Sequence, residues 1–467
     1  MNGVILSEAK NLIVTCGSAS DCFEQFRLFL NLKGNMCDMT ERDRLSFVLH
    51  GAVVYSKDKD EMNCFEDAYA VCKDGISEGV FTKLPEEYKE LPLIETGGQL
   101  IIPGFTDLHI HAPQFQFRGN GMDIELLPWL ETYTFPEEAK YSDLSYAEKA
   151  YRLFTEELIN GATVRASVFA TSHRGATLRL MEMLEESGLV TFVGKVNMDR
   201  NVPDYYVEDT EGSLSETEKW LNEAAKKGFS RTRPIITPRF TPSCSRELMT
   251  GLSELAERYA APVQSHLSEN LSEIKWVSEL EPDTSSYADS YVKAGILKKS
   301  IPCIMAHCVW SEEEEQEILL ENNVFIAHSP DSNTNLSSGA APVKKYLEKG
   351  MNVGLATDVA GGHSASMINA VRSAIRVSKL RNRLFDRDTK ALTFPEAFYM
   401  ATKGGGAFFG KAGSFDKGYS FDALILDDMR IPTTREDLSA MERAERFIYL
   451  GDDRYISGKI VAGKRIR

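Results

Sequence analysis

No apolar run in this chain approaches the roughly 20 residues needed to cross a membrane. The first residues place Glu8 and Lys10 ahead of a short apolar run, a poor signal peptide, so the expected location is the cytoplasm. Basic charge is scarce: 53 Lys and Arg stand against 69 Asp and Glu, a formal charge of −16. Such a balance argues against nucleic acid or an anionic membrane as partner and leaves a neutral small molecule open. None of the eight cysteines forms a Cys-x-x-Cys pair, so reduced thiols are expected rather than a disulfide framework. A glycine-rich phosphate loop is also missing.

The chain does contain a run of apolar residues that ends in two histidines one residue apart, Pro103-Gly104-Phe105-Thr106-Asp107-Leu108-His109-Ile110-His111-Ala112. Side chains alternate faces along a strand, so His109 and His111 point the same way and can close on one ion. Leu100-Ile101-Ile102 ahead of them reads as the buried strand that carries them. Seven further strand-like runs follow: 163–169, 190–196, 234–238, 262–266, 302–307, 324–328 and 352–358. Helical stretches such as 145–159, 245–260 and 311–321 separate them, with Ser at the expected N-caps. Eight strands alternating with helices predict an α/β fold, a (β/α)8 barrel, with its site at the C-terminal strand ends. His109, His111, His266, His307 and Asp358 all fall there, a set suited to a borderline-soft divalent ion such as zinc.

Outside the barrel, strand-like runs near residues 46–55, 79–81, 93–95, 419–426 and 454–464 predict one small β-sandwich domain built from both chain ends. The expected division is an extension at 1–40, the first part of the small domain at 41–102, the barrel at 103–412 and the second part at 413–467.

Further motifs run through the barrel: Trp129-Leu-Glu-Thr-Tyr-Thr-Phe-Pro-Glu-Glu138, Thr237-Pro-Arg-Phe240, Gln264-Ser-His-Leu-Ser-Glu-Asn270, Met305-Ala-His307, Ala327-His-Ser-Pro-Asp-Ser-Asn333 and Thr357-Asp-Val-Ala-Gly-Gly362. Together with the His-x-His run they resemble the amidohydrolase superfamily and, within it, the guanine deaminases. The resemblance implies that His109, His111, His266 and Asp358 hold one metal ion per chain, zinc or alternatively ferrous iron, and that His307 borders the water that the metal activates. Two-metal relatives carry a lysine at the end of the fourth strand, where this chain has Pro238-Arg239-Phe240. Lys195 on the third strand is read as structural. The resemblance also implies a homodimer, and guanine as the small-molecule substrate.

The chemistry then asks for particular groups. A bound divalent cation brings the pKa of water toward neutrality. Asp358 can take the water's proton and pass it to the leaving amine, while Glu269 can protonate the ring if burial keeps its carboxyl neutral. By resemblance Gln114 and Arg239 bind the polar edge of the base, with Arg matching the O6 and N7 acceptors of guanine, and Phe240 covers the ring. Phe117, Trp129 and Tyr133 are expected to help wall the pocket, and His328 to fix a loop by hydrogen bonds. The alternatives are deamination of another aminated heterocycle, such as a pterin, an oxidised guanine or a triazine, or a metal-free scaffold on the same barrel.

Overall fold

The computed structural model describes residues 46–467. The expected extension at 1–40, and the first residues of the segment at 41–102, lie outside the described residues. The architecture is a TIM-barrel-like α/β fold with a second sheet against it. Eight barrel strands occur in the expected order. The first four are Phe105–His111, Thr163–Phe169, Val190–Gly194 and Thr232–Pro234, paired in parallel. The next four are Val263–Leu267, Cys303–His307, Phe325–His328 and Asn352–Leu355, also parallel. An Ile236–Val263 bridge joins the two sets on one side. On the other side the His109 carbonyl accepts from the Asp358 N–H at 2.9 Å, and the Val359 carbonyl from the His111 N–H at 3.0 Å. The first three of these strands are buried along their length, as expected when helices cover a parallel sheet.

Several boundaries differ from the sequence reading. Leu100-Ile101-Ile102 does not lead into the histidines as one strand. It ends a separate strand, Leu93–Pro103, of the other sheet. The break falls at Gly104, where a Cβ would stand 2.3 Å from Val164, so the chain turns where no larger residue fits. The third and fourth strands are interrupted: Val196–Asn197 and Thr237–Pro238 form a short pair of their own. Asp358 lies three residues beyond the eighth strand, which stops at Leu355. Among the helices, Arg246–Tyr259 carries its expected Ser245 cap. Leu144–Asn160 is capped instead by Asp143, and Glu313–Glu321 starts after Glu312 with no side-chain cap.

Strands from both ends of the described chain pair with one another, but as a single seven-stranded sheet rather than two hydrogen-bonded layers. Its order is Lys464–Arg465, Ile456–Val461, Ala423–Leu426, Leu93–Pro103, Phe47–Ser56, Met62–Lys73 and Ile76–Phe81. Phe47, Leu49, Ile101, Phe415 and Phe421 pack in a core of its own. A buried Arg165–Asp422 ion pair at 2.7 Å ties this sheet to the second barrel strand. Lys459 Nζ also donates to the carbonyls of Leu158 and Gly161 at the C-terminal end of the Leu144–Asn160 helix. Helix Ala440–Leu450, which begins with a Ser439–Glu442 capping box, had no counterpart in the sequence reading.

Candidate active site

The strand ends bring the predicted side chains to one point. Nε2 of His109 lies 3.1 Å from Nε2 of His111, which is 3.3 Å from Nε2 of His266. Oδ1 of Asp358 stands 3.1 Å from the His109 nitrogen and 3.4 Å from that of His111. The other oxygen, Oδ2, faces His307 Nε2 at 3.6 Å. The backbone bends sharply to achieve this. Ser268, His307, Cys308 and Asp358 all take positive φ, between 47° and 74°. Such conformations cost a non-glycine residue about 1–3 kcal/mol and cluster at sites that need an exact aim.

These histidines are held neutral. Burial lowers the pKa of His111 and His266 well below the ordinary value, and the neighbouring imidazoles lower both further. Burial also lowers His109, against the pull of Asp358. Nδ1 of His266 donates to the Arg239 carbonyl at 2.6 Å, which leaves a lone pair on Nε2. Asp358 stays ionised: burial raises its pKa, but His109 and His307 outweigh burial and hold it below the usual range. Converging lone pairs with too few protons among them are satisfied by a divalent cation, and a three-nitrogen, one-oxygen set suits zinc. The donors form two overlapping groups, His109, His111 and His266 with His109, His307 and Asp358. Phe169, which the sequence reading passed over as a strand residue, packs 4.6–4.9 Å from the rings of His109, His111 and His266 and supplies their dry wall.

His307 differs from the other three histidines. Burial disfavours its charge, yet Glu269 and Asp358 raise its pKa above the ordinary value. Its Nδ1 donates to Asn333 Oδ1 at 2.8 Å, and its Nε2 lies 3.3 Å from Glu269 Oε2. Glu269 has the burial its expected role requires. Burial pushes its carboxyl up to about 7, and the charges of Asp358 and Glu273 add to the effect. Ser338 Oγ donates to its Oε1 at 2.9 Å.

A cleft of about 400 Å³ opens over this cluster. Gln114, Arg239 and Phe240 line it, as do Glu269, His307 and Asp358. Trp129 is in the wall with Leu126 and Leu130. Phe117 and Tyr133 are not wall residues: Phe117 packs behind, with ring centroids 5.4 Å from Trp129 and 6.1 Å from Tyr133. His328 also departs from expectation. Its Nδ1 is buried without a hydrogen-bond partner, and burial holds its pKa down at about 3. Lys195 is spent on Glu208, at 2.8 and 3.0 Å. The sequence offers no role for Glu138, yet its fully buried carboxylate accepts from both Gln114 and Arg239. No local signal separates Glu138 from its neighbours Glu131 and Glu137 in the same stretch.

Comparison with known proteins agrees with this geometry. The model of the amidohydrolase family matches residues 100–466. The guanine deaminase of Dictyostelium discoideum is 40% identical over 382 residues, covering 80% of this chain and 84% of that protein. The human guanine deaminase is 38% identical over 383 residues, covering 79% and 83%. The crystal structure of guanine deaminase from C. acetobutylicum, with guanine bound in its active site, superposes with a TM-score of 0.87 at 46% identity, covering 90% of this chain and all of that one. The chain belongs to the amidohydrolase family and, within it, to the guanine deaminases.

Proposed function

We propose that the protein hydrolyses guanine to xanthine and ammonia. The observation that carries this reading is the two-ended cleft, with histidines and Asp358 at one end and the Arg239–Gln114 pair at the other. His109, His111, His266 and Asp358 would hold the ion. When bound, a divalent cation supplies a water acidified toward neutral pH and an electrostatic sink for negative charge.

The remaining steps belong to the chain's own residues. Arg239 offers its fork of donors to the O6 and N7 acceptors of guanine, and Gln114 fixes the same edge. Phe240 lies over the ring. Glu269, whose carboxyl burial raises to about 7, gives a proton from its neutral form to the ring nitrogen beside C2, which makes that carbon electrophilic. Asp358 takes a proton from the attacking water on the oxygen that faces His307 and delivers it to the departing amine. His307, anchored by Asn333, orients that water. Water adds at C2, and as the exocyclic C–N bond breaks the proton left on the added oxygen returns to Glu269, so guanine and water become xanthine and ammonia.

The same reading takes zinc as the ion, one per chain, because Lys195 is committed to Glu208 and the fourth strand brings Arg239 where two-metal relatives bring a lysine. A homodimer, which rests on the resemblance alone, and a cytoplasmic location, which carries over the expectation from the sequence, complete it. Among the described residues no helix is long and apolar enough to cross a membrane. Ammonia release from guanine by zinc-loaded protein, with adenine and cytosine as controls, tests the proposal. No release from guanine, or equal release from adenine, overturns it.

A further inference from the structure

Glu138 sits in the short helix Phe135–Ala139, fully buried and one layer behind the cleft wall. Its Oε1 accepts from Gln114 Nε2 at 3.0 Å. Its Oε2 accepts from Arg239 Nη1 at 2.8 Å and from the Tyr206 hydroxyl at 3.0 Å. Gln114 is fixed at its other end too, because its Oε1 accepts the Ala360 N–H at 3.2 Å. That pair of contacts settles which way the amide points. The Arg239 guanidinium rests 5.4 Å from the Phe135 ring, so it is held from a second direction.

A buried ion pair is a poor source of stability, since desolvation offsets most of its attraction and an apolar pair of the same volume often does as well. What a buried carboxylate shared by two cleft residues does supply is aim. One Nη1 hydrogen of Arg239 is committed to Glu138, so the plane and direction of the remaining donors are set before a ligand arrives. Preorganised donors lose little entropy on binding and do not collapse onto other acceptors.

We propose that Glu138 is a positioning residue for substrate recognition: it fixes Arg239 and Gln114 so that both meet the carbonyl-bearing edge of the purine. The inference rests on the proposed guanine reading and adds the group that makes its base contacts selective. Glu138→Gln is the direct probe, because the amide keeps the volume but turns an NH2 toward groups that are themselves donors. The measurements are kcat and KM on the zinc-loaded protein with guanine and with 2-aminopurine, which keeps the amine and lacks O6.

In Glu138→Gln we expect KM for guanine to rise about tenfold or more, the scale of one lost bidentate contact, while kcat changes less. The preference for guanine over 2-aminopurine, as a ratio of kcat/KM values, falls by a similar factor. Zinc content stays at the wild-type level, because no ligand depends on the Glu138 side chain. A folded, zinc-replete Glu138→Gln protein with the wild-type preference overturns the inference. If that variant does not fold, Glu138→Asp decides: it keeps the charge and withdraws it by one methylene, and an unchanged preference there overturns the inference equally. Wild-type protein that is inactive on guanine would instead take down the underlying functional reading, and this inference with it.

Discussion

The two ends of the cleft are built on opposite principles. At the strand ends, His109, His111, His266 and Asp358 turn acceptor atoms on one another at 3.1–3.4 Å with few protons between them. At the other end, Arg239 and Gln114 meet a carboxylate that complements them, so the chain's own groups hold them. On the proposed reading the first end is completed by a metal ion from outside the chain, whereas the second is complete already. Removing a group should therefore have different consequences at each. Losses at the first end should fall on metal content and kcat, and losses at the second on KM and selectivity.

The largest expected effect is at the strand ends. Asp358→Asn removes a ligand charge and a proton acceptor together, so kcat should fall by about 10²–10⁴ or more, with zinc per chain well below one. Elemental analysis alongside kinetics checks this. A zinc-replete, active Asp358→Asn protein would break the comparison, as would two tightly held ions in the wild type.

Glu269→Gln comes next. Its carboxylate is absent from both candidate metal groups, so zinc should be retained while turnover falls by about 10²–10⁴, the cost of one lost proton-transfer group. Near-normal kcat in a zinc-loaded Glu269→Gln protein would remove the proton-donor role.

The ligand end was legible in the sequence and most of the recognition end was not, for a physical reason. Histidines at the ends of apolar runs stand out because period-2 alternation and chain order fix where they point. Strand ends alone identified His109, His111, His266, His307 and Asp358. Gln114 and Arg239 came only from resemblance, because a donor's role depends on what faces it across the barrel. Glu138, Tyr206 and Asn333 are joined to their partners by contacts spanning 24 to 101 residues, which no local pattern records. The turn at Gly104 was missed because an apolar run reads alike in one buried strand or in two. A glycine forced by Val164 is visible only once both strands are placed.

Arg239→Ala sharpens the contrast at the recognition end. KM for guanine should rise by a factor equivalent to about 1–3 kcal/mol. The variant should also unfold more easily, since Glu138 is left as a buried charge without its cation, a loss of about 3–5 kcal/mol in comparable cases. Arg239→Lys keeps the charge but not the fork, so it should recover stability more than affinity. Thermal unfolding measured with KM separates the two effects. Unchanged KM in Arg239→Ala would mean that Arg239 does not touch the base.

The smallest effect concerns the proton on Glu269. Burial raises its pKa to about 7, so the donating form is present below that pH and is lost as pH rises through it. On this basis kcat should decline on the alkaline side of neutrality, by about tenfold per pH unit once the carboxyl is ionised. Ser338 donates to Glu269 Oε1 at 2.9 Å, a bond that favours the carboxylate and pulls its pKa down. Ser338→Ala should therefore raise the pKa and move the alkaline limb to higher pH, while zinc content and KM for guanine stay near wild type. A pH profile of kcat for both proteins supplies the check. If the limb moves to lower pH, or stays in place when Ser338 is replaced, Glu269 is not the group whose protonation the profile reports.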